Sequence, residues 1–308
     1  MSHESSDGVS VADVVEAVDG VDPERVEALL DPVTDDGVVT RDVIDTTISD
    51  TSKRLATAET RIELAGNAYD DAAAVADPVA DIPTVGTRLD AFEERLADVE
   101  SRIPELRPDL STPDDIHRRP TAVYEFAVLI QETVTAAGDA VEVAEDLSTD
   151  VERFQSWLEQ PDRRYDAFAE DLTLVEESID ELAATIDGIP DDADDHGGRW
   201  TAAAMRTRVL SLLAADLRTE HRDLRVLADR SDAPFRTELG ERLDGVEERV
   251  AEVESAIDDV ADPAREDRPA ADLAALDEEL ATFEPPVDWG AVERALEAHQ
   301  PDVPTGDR

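Results

Sequence analysis

Apolar residues recur every three or four positions along most of the chain, which is the spacing that places them on one face of an α-helix. Strict alternation of apolar and polar residues is rare, and the nearest approach to a strand is the segment "GVVT" at 37–40. Prolines fall between the periodic segments or in their first turn. The pattern predicts long helices at 82–106, 120–158, 161–186, 199–230, 234–260 and 270–283.

The predicted fold is all-α, an elongated multi-helix bundle with coiled-coil segments plus a small N-terminal helical domain. A helix over 120–158 would be about 58 Å long at 1.5 Å per residue, and helices of that length favour an extended bundle. We predict three regions: an N-terminal domain at 1–78, an antiparallel bundle or coiled coil at 79–284, and a C-terminal docking helix and tail at 285–308.

The N-terminal domain contains two short helical segments, "VSVADVVEAV" and "DPERVEALL". The second is predicted to begin with Asp22 as its cap and Pro23 in its first turn. After "GVVT" we predict one or two further helices, because hydroxyl and β-branched residues at 46–52 weaken helix formation there.

Three of the predicted helices carry a heptad seam, in which apolar residues separated by three and four positions mark the a and d sites of a coiled coil. The first seam consists of Val85, Leu89, Phe92, Leu96, Val99 and Ile103. The second consists of Tyr165, Phe168, Leu172, Val175, Ile179, Leu182 and Ile186. The third consists of Leu239, Leu243, Val246, Val250, Val253, Ile257 and Val260. Helix 199–230 is apolar around more of its circumference, so we expect it to be the most buried helix.

The first and third seams belong to two copies of one sequence. "RLDAFEERLADVESRI" at 88–103, the first copy, returns as "RLDGVEERVAEVESAI" at 242–257, the second copy, with eleven of sixteen residues identical and an offset of 154, or 22 heptads. The flanking charges repeat as well. Arginine occupies g positions and glutamate occupies e positions: Arg88, Arg95, Arg242 and Arg249 at g, and Glu93, Glu100, Glu247 and Glu254 at e.

These flanking charges favour a parallel partner, because parallel helices bring g residues against e residues whereas antiparallel helices bring g against g. The partner could be the other copy in the same chain. It could equally be a second chain in a parallel homodimer. A third interpretation is that the charges are exposed pairs that contribute little to stability.

The chain carries 78 acidic and 28 basic residues, a net charge of -50, and the acids are spread along its whole length. So much like charge strains a compact fold unless salt screens it. At about 1 M salt the Debye length falls to about 3 Å. The composition therefore indicates a halophilic protein, and the lack of a basic patch argues against a nucleic-acid partner.

The sequence contains no recognisable catalytic or cofactor motif. No histidine has a second histidine at metal-ligand spacing, and there is neither a Gly-rich phosphate loop nor GxSxG. We predict no catalytic residue, no cofactor and no metal ligand. The segment "DDADDHGGRW" at 191–200, which includes His196, could hold a divalent cation, but a solvated loop is the simpler interpretation. Trp157, Trp200 and Trp289 lie near helix ends and are interpreted as anchors of the bundle.

The chain has no cysteine, which excludes disulfides and thiolate chemistry. Its first residues, "MSHESSDGVS", lack the basic and apolar regions of a signal peptide. No apolar run approaches the ~18 residues needed to cross a bilayer. We expect a cytoplasmic protein with no membrane span.

Three segments, "DDGVVTRDVIDTTISDTSKRLATAETRIELA", "WLEQPDRRYDAFAEDL" and "FEPPVDWGAVERALEAHQPD", resemble a haloarchaeal family whose members are identified as halo transducer proteins. The resemblance covers nearly the whole chain and implies a link to taxis-type signalling. The sequence lacks the membrane span and the matched pair of long helices with methylation sites that a taxis receptor has. The resemblance carries over no functional residue.

The sequence therefore favours a non-enzymatic interaction, scaffold or signalling-accessory protein that binds protein partners through helix-helix contacts. One alternative is a DNA-associated regulator, in which the N-terminal domain is a degenerate winged helix. Only Arg25 and Arg41 precede Lys53 as basic residues, which weighs against DNA contact. The other alternative is an enzyme without a recognisable motif.

Overall fold

The computed structural model describes residues 8–102, 110, 112–189, 196–260 and 269–299. This part of the chain forms α-helices and one two-stranded sheet, so the all-α prediction is confirmed. The strands are β1 (Gly8–Ser10) and β2 (Val38–Thr40). The helices are α1 (Val11–Ala17), α2 (Pro23–Leu30), α3 (Arg41–Ala76), α4 (Pro83–Ser101), α5 (Pro120–Glu159), α6 (Pro161–Asp187), α7 (His196–Ser231), α8 (Glu238–Val260), α9 (Pro269–Leu280) and α10 (Trp289–Ala298).

The segment "GVVT", the nearest approach to a strand in the sequence, contains β2, which pairs antiparallel with β1 and places Val9 opposite Val39. The predicted start of α2 is also confirmed. The Asp22 carboxylate accepts a hydrogen bond from the Glu24 backbone N–H at 3.0 Å, and Pro23 occupies the first turn. The cap satisfies a backbone donor that has no partner within the helix.

Helix α3 runs without a break through 46–52, where the sequence left one or two helices open. The hydroxyl of Thr46 donates to the carbonyl of Asp42 at 2.8 Å, and that of Thr47 donates to Val43 at 2.9 Å. Each hydroxyl is thus satisfied one turn back along the same helix, so it does not compete with the helical backbone bonds.

Helix α8 begins at Glu238, four residues later than the sequence predicts. Asp232 adopts the left-handed backbone region with φ of 50°. The carbonyl of Pro234 accepts a hydrogen bond from the Tyr165 hydroxyl at 3.1 Å, instead of starting the helical ladder. The late start follows from a contact with α6, which local sequence does not encode. Of the helix predicted at 82–106, the part beyond Arg102 lies outside the described residues.

The chain divides into two compact units. Unit 1 comprises Met1–Ala72 and Phe92–Arg153, and unit 2 comprises Ala73–Ala91 and Phe154–Arg308. The divisions fall inside α3, α4 and α5, so each of these helices contributes residues to both units. The regions predicted from sequence, with boundaries at 78 and 284, remain a prediction.

The core of unit 1 joins the two strands, α1, α2 and the N-terminal turns of α3 and α5. Its buried apolar residues are Val9, Val14, Val26, Leu30, Val33, Val39, Ile44, Ile116, Val123, Phe126, Ala127 and Ile130. Residues 110–130 therefore complete the N-terminal core, although more than sixty residues separate them from β2.

In unit 2, α7 packs against α6, α8 and α9. Two tryptophans predicted as anchors tie elements together here. The Trp200 indole N–H donates to the carbonyl of Ile257 near the end of α8 at 3.1 Å, and the Trp289 indole N–H donates to Asp216 on α7 at 2.9 Å. A smaller apolar core joins α9 and α10. Its buried residues are Leu276, Leu280, Val287 and Val292.

Candidate functional site

The second copy of the repeat lies in α8, and its seam is buried from Leu239 to Ile257, while Val260 at the end of the seam is half-buried. Helices α6 and α7 cover it. Each of the six seam residues between positions 239 and 257 is at most 7% exposed. They are Leu239, Leu243, Val246, Val250, Val253 and Ile257. The seam of α6 is buried as well, so two matched heptad faces meet.

The g arginines of the second copy bind acids of α6. Arg242 donates to the two carboxylate oxygens of Glu176 at 2.7 and 2.6 Å, and this pairing holds the pKa of Glu176 below its usual value. Arg249, one heptad later, donates to Asp180. Contacts advance in the same direction on both helices, so α6 and α8 are parallel. The helix that meets these arginines is α6, and pairing of the second copy with the first copy or with a second chain stays a prediction.

The e glutamates of the second copy face α7. Arg218 donates through Nε to Glu247 at 2.8 Å, and the Ser211 hydroxyl donates to Glu254. Here the numbering rises on one helix as it falls on the other, so α7 is antiparallel to α8. All four predicted flanking charges of the second copy therefore have partners on neighbouring helices.

The first copy lies in α4, and its seam is covered less fully. Val85 and Val99 are fully buried, whereas Leu89, Phe92 and Leu96 are half-buried. Ile103 lies outside the described residues. Within unit 1, Leu96 lies beside Gly66 of α3, about 4.0 Å from where a β-carbon would stand.

Among the described residues, the flanking arginines of the first copy form ion pairs and its flanking glutamates do not. Arg95 donates to Asp150 of α5 at 2.9 Å, and Arg88 donates to Glu220 of α7 at 2.8 Å. Glu93 and Glu100 are exposed and form no ion pair within the described part of the chain. Within the described part of the chain, the first copy thus presents e glutamates without an ion pair.

A cavity of about 400 Å³ lies in unit 2 between α4, α6, α7 and the segment that leads into α10. Its lining includes three carboxylates, those of Asp171, Asp216 and Glu220, and the guanidinium of Arg88. Burial raises the pKa of Glu220, and the Arg88 charge opposes this rise. Burial likewise raises the pKa of Asp171, again against the effect of Arg88.

The acids of α7 also position the neighbouring elements. Asp223 is buried and accepts from both the backbone N–H and the hydroxyl of Thr84, at 2.8 and 2.7 Å, so it caps the first turn of α4. Asp216 accepts from the backbone N–H of Val287 at 2.9 Å. These contacts fix the two ends of the cavity to α7.

Sequence reasoning missed this cavity and placed Arg88 only beside the seam. A signal was available on α7, where Asp216, Glu220 and Asp223 recur at helical spacing on the face that also carries buried Leu217 and Leu224. Acids at buried positions need partners, and such positions are more often functional than acids on a solvated face.

The two alternative kinds of site find no support in the described residues. These residues contain no group of three or more histidine, aspartate or glutamate side chains arranged to hold a metal. The aspartates at 191–195 and the side chain of His196 lie outside them. In the helix pair of the suggested winged helix, α2 exposes Glu24 and Glu27 beside Arg25, and acids on that face repel phosphate.

The helices in the described ranges include none with an apolar stretch that could cross a bilayer. The chain matches no protein-family model, no curated protein and no solved structure. The resemblance to the halo transducer family therefore stays a prediction.

Proposed function

We propose that the chain is a non-enzymatic interaction protein that binds a partner helix along α4 within unit 1. The observation that carries the proposal is the contrast between the two copies. The seam of α8 is buried and its glutamates are paired, whereas Leu96 of α4 is half-buried and Glu93 and Glu100 are unpaired within the described part of the chain. A half-covered apolar stripe edged by open charges is typical of a helix-docking surface.

The partner that fits this surface is an amphipathic helix with basic residues beside its apolar stripe. A parallel second copy of this chain would have to offer Arg88 and Arg95 to the open glutamates, but both arginines already bind acids of their own chain. A different protein with free arginine or lysine residues fits better. Self-association remains an outcome that the experiment below detects.

The proposed setting is a halophilic cytoplasm, since the net charge of -50 is tolerated best where molar salt screens repulsion. In such salt, apolar contact contributes most of the affinity and the charged pairs select the partner. The resemblance to halo transducer proteins makes a component of taxis-type signalling the first partner to seek, with this chain as scaffold or accessory.

Affinity capture from a native lysate at about 1 M KCl tests the proposal. The variant Leu96→Asp places a charge on the half-buried stripe, while Ala97→Asp places the same charge on the exposed neighbouring position. We expect Leu96→Asp to lose the captured partner and Ala97→Asp to keep it. Circular dichroism checks that both variants retain the helical content of the wild type.

Light scattering on the same three proteins identifies self-association. A dimer that Leu96→Asp dissociates and Ala97→Asp does not would show that the partner helix is a second copy. A monomeric wild type that captures no protein, or one that captures the same proteins as both variants, contradicts the proposal.

A further inference from the structure

The cavity of unit 2 has features that the proposed docking surface on α4 of unit 1 does not use. Half of its fourteen lining residues are apolar, among them Leu174, Leu213, Pro286 and Trp289. Leu174 is 58% exposed, which is unusual for a leucine on a helix whose seam is fully buried. The cavity is therefore a pocket with apolar walls and an accessible apolar edge, the form that small-molecule sites take.

The ionisable side chains that line this cavity include more acids than bases. Three carboxylates face one guanidinium, which leaves a formal charge of -2 when all four groups are ionised. Arg88 is held by two contacts: it donates to Oε1 of Glu220 at 2.8 Å, and its guanidinium lies 4.5 Å from the ring centre of Trp157. Among the described residues, Asp216 accepts from two neutral N–H groups and forms no ion pair.

Two carboxylates retain acceptor capacity. Glu220 is only 9% exposed, and among the described residues its one hydrogen bond is the one from Arg88 to Oε1, so Oε2 is unpartnered. Asp171 is half-buried and accepts no hydrogen bond from any residue that the structure describes. Both residues line the cavity, so a bound cation with N–H groups could donate to the oxygens that remain open there.

We propose that this cavity binds a small organic ammonium ion, whose charged nitrogen pairs with Asp171 and Glu220 and whose apolar body packs against Leu174 and Trp289. Tryptophan is the aromatic side chain that attracts a cation most strongly. A bare metal ion fits poorly, because it would leave the apolar half of the lining in contact with its water shell. Burial raises the pKa of both acids although Arg88 opposes the rise, and a bound cation would oppose it further.

Titration calorimetry of the full chain with two probes of equal shape tests this assignment. The probes are tert-butylammonium chloride and the neutral tert-butanol. We expect saturable binding of the ammonium ion and at least about tenfold weaker binding of the alcohol, because only the ion pairs with the carboxylates. Equal binding of both probes, or no saturable binding of the ammonium ion, overturns the proposal.

A matched pair of variants locates the site. Asp171→Asn keeps the shape of the side chain and removes its charge, whereas Glu177→Gln removes a charge from an exposed position of the same helix, outside the cavity lining. We expect Asp171→Asn to weaken tert-butylammonium binding by about fivefold and Glu177→Gln to leave it unchanged. Equal affinity in both variants would place the binding elsewhere and refute the assignment. The comparison of the two probes on the wild type stands even if Asp171→Asn fails to fold.

Discussion

The two copies of the repeat share eleven of sixteen residues, yet the chain covers them to different extents. In α8, the apolar face lies between α6, which presents a heptad seam of its own, and α7. In α4, three of the five described seam residues are half-buried, among them Leu96, which lies beside Gly66 of α3. Glycine offers no side chain, so a large residue opposite it is covered less completely.

This difference shows what a heptad pattern specifies. The pattern determines which face of a helix must be covered. The flanking charges determine whether a parallel or an antiparallel partner is compatible. How completely the face is covered depends on the side chains that the neighbouring helices supply. Two sixteen-residue sequences with the same heptad pattern therefore form a closed core in one place and a half-open surface in the other.

The largest expected difference between the copies comes from leucines at equivalent positions. Leu243 is fully buried in α8, and its counterpart Leu89, 154 residues earlier, is half-buried in α4. We expect Leu243→Ala to lower the free energy of unfolding by about 3 kcal/mol, because it removes buried methyl groups and leaves a cavity. Leu89→Ala should lower it by about 1 kcal/mol, since part of the side chain already contacts water.

Urea unfolding followed by circular dichroism measures both changes, and equal m-values show that the transitions can be compared. Ala91→Gly, a substitution at a non-seam position of α4, gives the effect of helix propensity alone, about 1 kcal/mol or less. Equal losses for the two leucine variants would contradict the difference in coverage between the copies.

The presence of the long helices and most of their ends could be predicted from the sequence, because both depend on local features. Proline in the first turn marks the starts of α5 and α6, and both helices begin where the sequence predicts. The start of α8 was misplaced because Tyr165, on another helix, binds the carbonyl of Pro234. A contact between residues 69 positions apart leaves no mark in the local pattern.

The candidate sites could be predicted only in part. Leu96, Glu93 and Glu100 were singled out from sequence as seam and flanking residues, but their incomplete coverage depends on which helices pack nearby. The cavity around Glu220 was missed, because it forms where the first turns of α4 approach the middle of α7. Charge spacing along α7 marks the acids as unusual, although it does not reveal that Arg88 lies beside them.

The next difference concerns the acids that bind equivalent arginines, and it depends on pH. Pairing with Arg242 lowers the pKa of Glu176, whereas burial raises the pKa of Glu220, the partner of Arg88. The charged form of Glu176 therefore stabilises the fold, and this contribution is lost as the pH falls from the ordinary value of 4.5 through the lowered one. Burial in the fold favours the neutral form of Glu220 relative to the unfolded chain, and this contribution is lost as the pH rises from 4.5 through the raised value.

Substitution of each glutamate by glutamine shows whether its charge stabilises or destabilises the fold. At pH 7, Glu176→Gln should lower the free energy of unfolding by about 1 kcal/mol or less, while Glu220→Gln should raise it. The effect of Glu220→Gln should shrink as the pH falls through the raised value towards 4.5, and that of Glu176→Gln should shrink as the pH falls from 4.5 through the lowered value. Urea unfolding at a series of pH values checks this, and effects of the same sign at pH 7 would contradict the opposite environments of the two pairs.

The smallest expected difference lies at the e positions, where Glu247 and its counterpart Glu93 are compared. Arg218 donates to Glu247, so Glu247→Gln exchanges a charged hydrogen bond for a neutral one and should lower the free energy of unfolding by about 0.5 kcal/mol. Glu93 has no ion pair within the described part of the chain, and Glu93→Gln removes only repulsion from other acids, so stability should stay within about 0.2 kcal/mol of the wild type or rise.

Thermal unfolding at low and at molar KCl measures both values. The loss in Glu247→Gln should diminish in molar salt, because part of the pair is exposed and therefore screened. A larger loss for Glu93→Gln than for Glu247→Gln would mean that Glu93 is already engaged, which would remove the open charge from which a partner on α4 was inferred.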